Sequence, residues 1–265
     1  MKVNISFSIG GITRLLILIA FYLAVQSITG RYVETYAGDD ASVLLTEVVR
    51  LFNINRESSV PTWYASLLLL VCAVFLGVIA YQKYHHKEAY RHHWLGLALI
   101  FLYLSVDEAA TIHEILTDPL QEALETSGPL FFGWVVAAIP LVILFALAYI
   151  RFWWNLPTRI RTLFFLAAAF YVGGALGIEM IGANQWYHDG GTSLLYSTIG
   201  TVEEFFEMLG AITLIYALWV YLAGTAPVLE IAIQGAPASV PNEAPQDITP
   251  TPEDRAILLD RSTGA

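Results

Sequence analysis

Charge is scarce in this chain. Of its 265 residues, 14 % are Asp, Glu, Lys or Arg, while 57 % are hydrophobic. Soluble domains carry about 25 % charged residues, so the composition excludes an ordinary soluble enzyme and predicts an all-α polytopic membrane bundle. Cysteine occurs once, as Cys72 inside an apolar run, which excludes an internal disulfide and says nothing about redox compartment. The net charge of −10 is partly contributed by the tail and by itself points to no partner; no nucleic acid is expected.

Familiar catalytic strings are missing as well. "HEILT" (His113–Thr117) has threonine where a zinc-protease HExxH needs its second histidine. "EEFFEM" lacks the arginine of the EExxxR intramembrane-protease motif, and neither a Walker loop nor a GxSxG elbow occurs. Only His113 falls near a span interior, so a bis-histidine haem is not indicated, nor is a nucleotide.

What the chain does have is length in its apolar runs. At about 20 residues per crossing, six segments are long enough to span, at about 9–29, 61–82, 94–116, 130–150, 162–183 and 198–223. The first of these, with Lys2 and Arg14 before its apolar stretch, has features of a signal peptide and is read as an uncleaved span. "ASVLLTEVVRLF" between spans one and two has helical periodicity and is expected to lie in the interface as an amphipathic helix. In "TDPLQEALE" Asp118 reads as an N-cap, Pro119 as the first helical residue and Gln121 as its capping-box partner, predicting a short surface helix. Residues 1–224 thus form the bundle, and 225–265, rich in proline and polar groups, are expected to be a mostly disordered tail.

Lys2, Arg14, Lys83, Lys87, Arg91, Arg151, Arg159 and Arg161 precede span one or lie in the second and fourth loops, against Arg31, Arg50 and Arg56 in the first. This asymmetry predicts an inner-membrane protein with both termini cytoplasmic. It also assigns His85, His86, His92 and His93 to the cytoplasmic side, where a basic loop facing anionic lipid is favoured over a metal site. Trp63, Trp94, Trp153, Trp154 and Trp186 read as interfacial anchors.

On this topology the polar groups of the spans collect on one side. Asp107 lies about 20 Å from the cytoplasmic edge, and Glu108, His113 and Glu114 follow it outward along span three. Glu179 sits near the outer end of span five with His188 beyond, and Glu203, Glu204 and Glu207 occupy the first turns of span six. Asp107 and Glu114, seven apart, share one face, from which His113 points away. Gly173 and Gly177 have small-xxx-small spacing, which lets a neighbouring helix approach just below Glu179. The shared "SVDE" and "TVEE" of spans three and six are too short an echo to define a repeat.

A carboxylate at mid-membrane costs about 2.5–3.5 kcal/mol, so seven acids facing lipid are untenable. No Lys or Arg occurs in the outer halves of spans two to six, and Arg31 is the one nearby cation. The remaining solutions are protonation, a water-filled cleft or bound metal. Carboxylates with one or two imidazoles suit iron, manganese or, less well, zinc. The expectation is an outward-facing site in the outer third of the bilayer. It would be built from Asp107, Glu108, His113, Glu114, Glu179, His188, Glu203, Glu204 and Glu207 as ligands or proton carriers, and would act on a lipid or amphiphile. A non-catalytic subunit held by protein partners in a larger membrane complex is the alternative. An ion or proton transporter ranks third, because the inner halves of the spans offer almost no polar groups to continue a path.

"LSVDEAATIHE" followed by "EEFFEMLG" resembles a pattern, LSxDE(x4)HE with EExxEMxG, of uncharacterised bacterial multi-pass membrane proteins. The resemblance covers spans three to six, implies the multi-pass fold and brings no activity with it. The ligand chemistry is also similar to that of membrane di-iron carboxylate enzymes. Those use Glu-x-x-His pairs, whereas here Glu108 and His113 are five apart and Glu179 and His188 nine.

Overall fold

The computed structural model describes residues 8–37, 42–191 and 193–225, so the expected tail lies outside the described residues. Within them the chain is helical throughout, with turns and no strand. The helices are α1 (Ile9–Ala37), α2 (Val43–Phe52), α3 (Val60–His85), α4 (Arg91–Ala110), α5 (Thr117–Leu124), α6 (Trp134–Trp154), α7 (Thr158–Val172), α8 (Glu179–Asp189) and α9 (Leu194–Thr225). A π-helical segment, Gly173–Ile178, joins α7 to α8 in one continuous rod. Six rods are long and apolar enough to cross a membrane: α1, α3, α4, α6, the α7–α8 rod and α9. The protein is therefore a multi-pass membrane protein.

Local chemistry sets several of the ends. Ser42 accepts the Leu45 N–H to start α2, and Ser59 accepts that of Thr62 to start α3, where Pro61 needs no donor. Lys87 and Tyr90, both with positive φ, close the turn that returns the chain from α3 into α4. The two helices then pack antiparallel. Two sequence expectations change here. Span three ends as a helix at Ala110, because Thr111 adopts φ 48° and the chain continues as a 3-10 turn, Ile112–Leu116. The short helix exists but begins at Thr117 behind Leu116 and has no side-chain cap, so Asp118 is left free to face inward.

α3 and α9 form the centre of the bundle. Leu69, Cys72, Leu76 and Ile79 of α3 meet Met208, Ile212, Ile215 and Leu218 of α9, with Ala20 and Leu23 of α1 alongside. In lipid such contacts hold helices by close packing and hydrogen bonds rather than by removal of apolar surface from water. Between the α7–α8 rod and α9, close approach requires glycine at two places. A Cβ on Gly210 would stand 2.7 Å from the Tyr171 backbone nitrogen, and one on Gly174 would stand 2.9 Å from the Glu203 carbonyl oxygen. Gly173 and Gly177, the pair singled out by spacing, have nothing within 4 Å. The helix contact thus falls one residue away from the expected stripe, where the π turn changes the phase of the rod.

Trp94 is also not an anchor: it is 2 % exposed, packed between Phe152 and Tyr221 with ring centroids 5.0 Å from each. Trp63 and Trp154 stand out from the bundle as anchors would. The loop histidines do not converge. His92 bonds Tyr84, while His93 stacks on Phe152.

Candidate functional site: a carboxylate chamber

At the end of the bundle opposite Trp94 and Tyr221, beyond the packed core, the helices enclose a cavity of about 640 Å³. Its first wall is the end of α4. The left-handed turn at Thr111 frees the next amides from the helix, and Asp107 captures one of them. The His113 N–H donates to Asp107 Oδ1 at 2.8 Å, and the His113 ring Nδ1 meets Oδ2 at 2.9 Å. His113 therefore folds back onto Asp107 instead of pointing away from it, as an unbroken helix would require.

The imidazole lies against the Trp134 indole, centroids 4.9 Å apart, and the Trp134 Nε1–H donates to Glu179 Oε1 at 3.2 Å. Glu179 in turn lies beside Glu203. One chain of contacts so links α4, the 3-10 turn, α6, α8 and α9. On the other side, the loop after α2 folds over the bundle end. Ser27 Oγ accepts the Ile54 N–H, and Asn55 Nδ2 donates to the Ser197 carbonyl at 2.9 Å. Gly200 makes room, since a Cβ there would stand 2.1 Å from Asn55 Oδ1. This fold-over carries Arg56 and Glu57 to the mouth, where Glu57 stands beside Glu114.

Eight of the nine residues expected from the sequence line this one cavity: Asp107, Glu108, His113, Glu114, Glu179, Glu203, Glu204 and Glu207. His188 does not; it lies exposed near the end of α8 beside Tyr187. Other lining groups lie outside the sequence expectation, among them Glu57 of the polar loop, Asp118, expected as a cap, and the aromatics Trp134 and Tyr171, of a residue type expected to anchor at the interface. Arg56 also lines the mouth, against the expectation that the pocket holds no basic side chain. Arg31 instead pairs with Glu34 and donates to Ser197 Oγ.

The electrostatics are one-sided. Nine carboxylates (Glu57, Asp107, Glu108, Glu114, Asp118, Glu179, Glu203, Glu204 and Glu207) face Arg56 and His113. Burial by itself would lower the His113 pKa. The hydrogen bond and charge of Asp107, with the charges of Glu114 and Glu108, outweigh it and hold the imidazole above its ordinary value. Glu114 is pushed up to about 7, by burial first and then by its hydrogen bond to Glu57 and the charge there. Among the described residues, no three His, Cys, Asp or Glu side chains stand at the mutual separation of a closed metal-ligand set. The chamber is wide and its acids are spread over its walls.

Fold and site together define a multi-pass helical membrane protein with a carboxylate chamber at one end of its bundle. The family described as Domain of unknown function (DUF8692) matches residues 14–222, and the chain belongs to that family. No curated protein and no solved structure matches it.

Proposed function

We propose that the chamber binds a divalent metal cation, iron, manganese or zinc, on the outer side of a bacterial inner membrane. The observation that carries this reading is the imbalance of nine carboxylates against Arg56 and His113 in one cavity. That excess of negative charge, in surroundings poorer in water than bulk solvent, favours a cation strongly. Asp107, Glu108, Glu114, Glu179, Glu203, Glu204 and Glu207 are the oxygen donors, and His113, oriented by Asp107, is the one nitrogen donor within reach. Because the acids stand apart, metal loading draws the walls of the chamber together. The outward orientation, with both termini cytoplasmic, rests on the excess of Lys and Arg at the opposite end.

Elemental analysis of the purified protein, paired with Glu207→Gln, tests the reading. This variant keeps size and hydrogen bonding but removes one charge. Near-stoichiometric metal in the wild type and at least a tenfold loss of retention in the variant are expected. A metal-free wild type that takes up none of the three ions on dialysis would overturn the reading and favour a structural role in a membrane complex.

A further inference from the structure

The chamber does not end at its carboxylates. The same cavity also has an apolar strip, lined by Leu104 of α4, Ala138 and Val142 of α6, and Val172 and Leu176 of the α7–α8 rod, with Glu207 bordering it beside Gly174. Ala138 and Val142 follow Trp134 at four-residue spacing, on one face of α6, so this strip runs about 12 Å from the level of Trp134.

α6 itself is attached unusually. Its outer end packs on α5, the 3-10 turn and the π segment. Its inner end is pinned by the Tyr149 hydroxyl, which donates to the His93 carbonyl, and by the Trp153 Nε1–H, which donates to the Arg161 carbonyl. Between these pins, from Pro140 to Ala148, Val142 alone is partly covered and every other residue is exposed. A span pinned at both ends and standing off the bundle between them leaves a side window at membrane depth. The window opens on the apolar strip, and the strip runs beside the acids.

We propose that this window admits a long single-chain amphiphile from the bilayer. Its chain lies along the strip, and its head carries amine or hydroxyl donors that the carboxylates accept. The head assignment follows from the lining: nine carboxylates accept hydrogen bonds and oppose an anionic head. Trp134, Tyr171, Trp186 and Tyr196 around the same chamber favour a cationic head further. The inference uses the same cavity as the metal reading but does not require the metal.

The test uses a long-chain amino alcohol bearing a photoreactive diazirine near its chain end, added to the full-length protein in phosphatidylcholine vesicles, with labelled residues mapped by mass spectrometry. Labelling of Ala138, Val142, Val172 or Leu176 is expected, competed by the unlabelled amino alcohol and not by a fatty acid of equal length. Ala138→Trp should cut labelling of the strip at least tenfold, as should the smaller change Val142→Phe if the first variant fails to fold. Leu144→Trp, on the exposed face of α6, should leave it unchanged. Labelling confined to lipid-facing positions such as Leu144 and Leu147 would overturn the window, and equal competition by the fatty acid would overturn the head assignment. Repeating the experiment on chelator-treated protein separates the two readings. Strip labelling without metal supports this inference whatever becomes of the metal site, and metal retention without strip labelling sinks this inference alone.

Discussion

His113 and Asp107 hold each other twice, through the His113 backbone N–H to Oδ1 at 2.8 Å and through the ring Nδ1 to Oδ2 at 2.9 Å. Both contacts exist because α4 stops at Thr111, in a left-handed conformation, so that the next residues turn back over the helix end. The carboxylate thus fixes the ring, and the ring fixes the position of Trp134 and, through it, Glu179.

Asp107→Asn should keep the amide hydrogen bond and remove the charge. Burial then dominates at His113, and its pKa should fall from above the ordinary imidazole value to below it. Imidazole titration by NMR on histidine-labelled protein reads the change. The linkage has a definite sign. The raised pKa supplies stability that is complete below the ordinary imidazole value and is lost as pH rises through the raised one. The variant should lose that pH dependence, and an unmoved titration would show that Asp107 does not set the charge of His113.

Glu57→Gln should lower the Glu114 pKa from about 7 toward its ordinary 4.5, because the neighbouring charge that opposes ionisation is gone. The raised value means that wild-type stability falls as pH rises from the ordinary carboxylate range through about 7. In the variant that fall should shrink. Thermal unfolding in detergent between pH 5 and 8 checks it, and parallel profiles for the two proteins would refute the pairing.

Glycine substitutions should separate the close helix contact from the sequence stripe. Gly174→Ala places a methyl group 2.9 Å from a backbone oxygen that cannot move aside, and a loss of about 1–3 kcal/mol is expected. Gly200→Ala, which displaces Asn55 from the Ser197 carbonyl, should fall in the same range. Gly173→Ala meets nothing within 4 Å and should be neutral or slightly stabilising. Melting temperatures of the three variants give the comparison. Equal losses at Gly173 and Gly174 would contradict the packing.

Topology reporters fused after residue 55 and after residue 225 should read opposite sides of the membrane, the first outside and the second in the cytoplasm. Both on one side would move the chamber relative to the bilayer and remove the outward opening.

The spans, the interfacial helix and the collection of acids at one end follow from the sequence alone. Hydrophobic length and helical rise are properties of each segment, and they place Asp107, Glu179 and Glu207 at similar depth without reference to any neighbour. Their convergence on one cavity was a question of helix phase, and phase accumulates error at every irregular turn. The break at Thr111 turned His113 inward. The π segment moved the close contact from Gly173 to Gly174, and a loop crossing the bundle end brought Arg56 and Glu57 to the mouth. His188, named by proximity in sequence, lies outside for the same reason: α8 ends with its last turn exposed. Trp94 shows the limit from the other direction, since an aromatic at a span end reads as an anchor until Phe152 and Tyr221 close over it. Depth is written locally in the chain, whereas azimuth is decided by which helices meet, and only the packed structure holds that information.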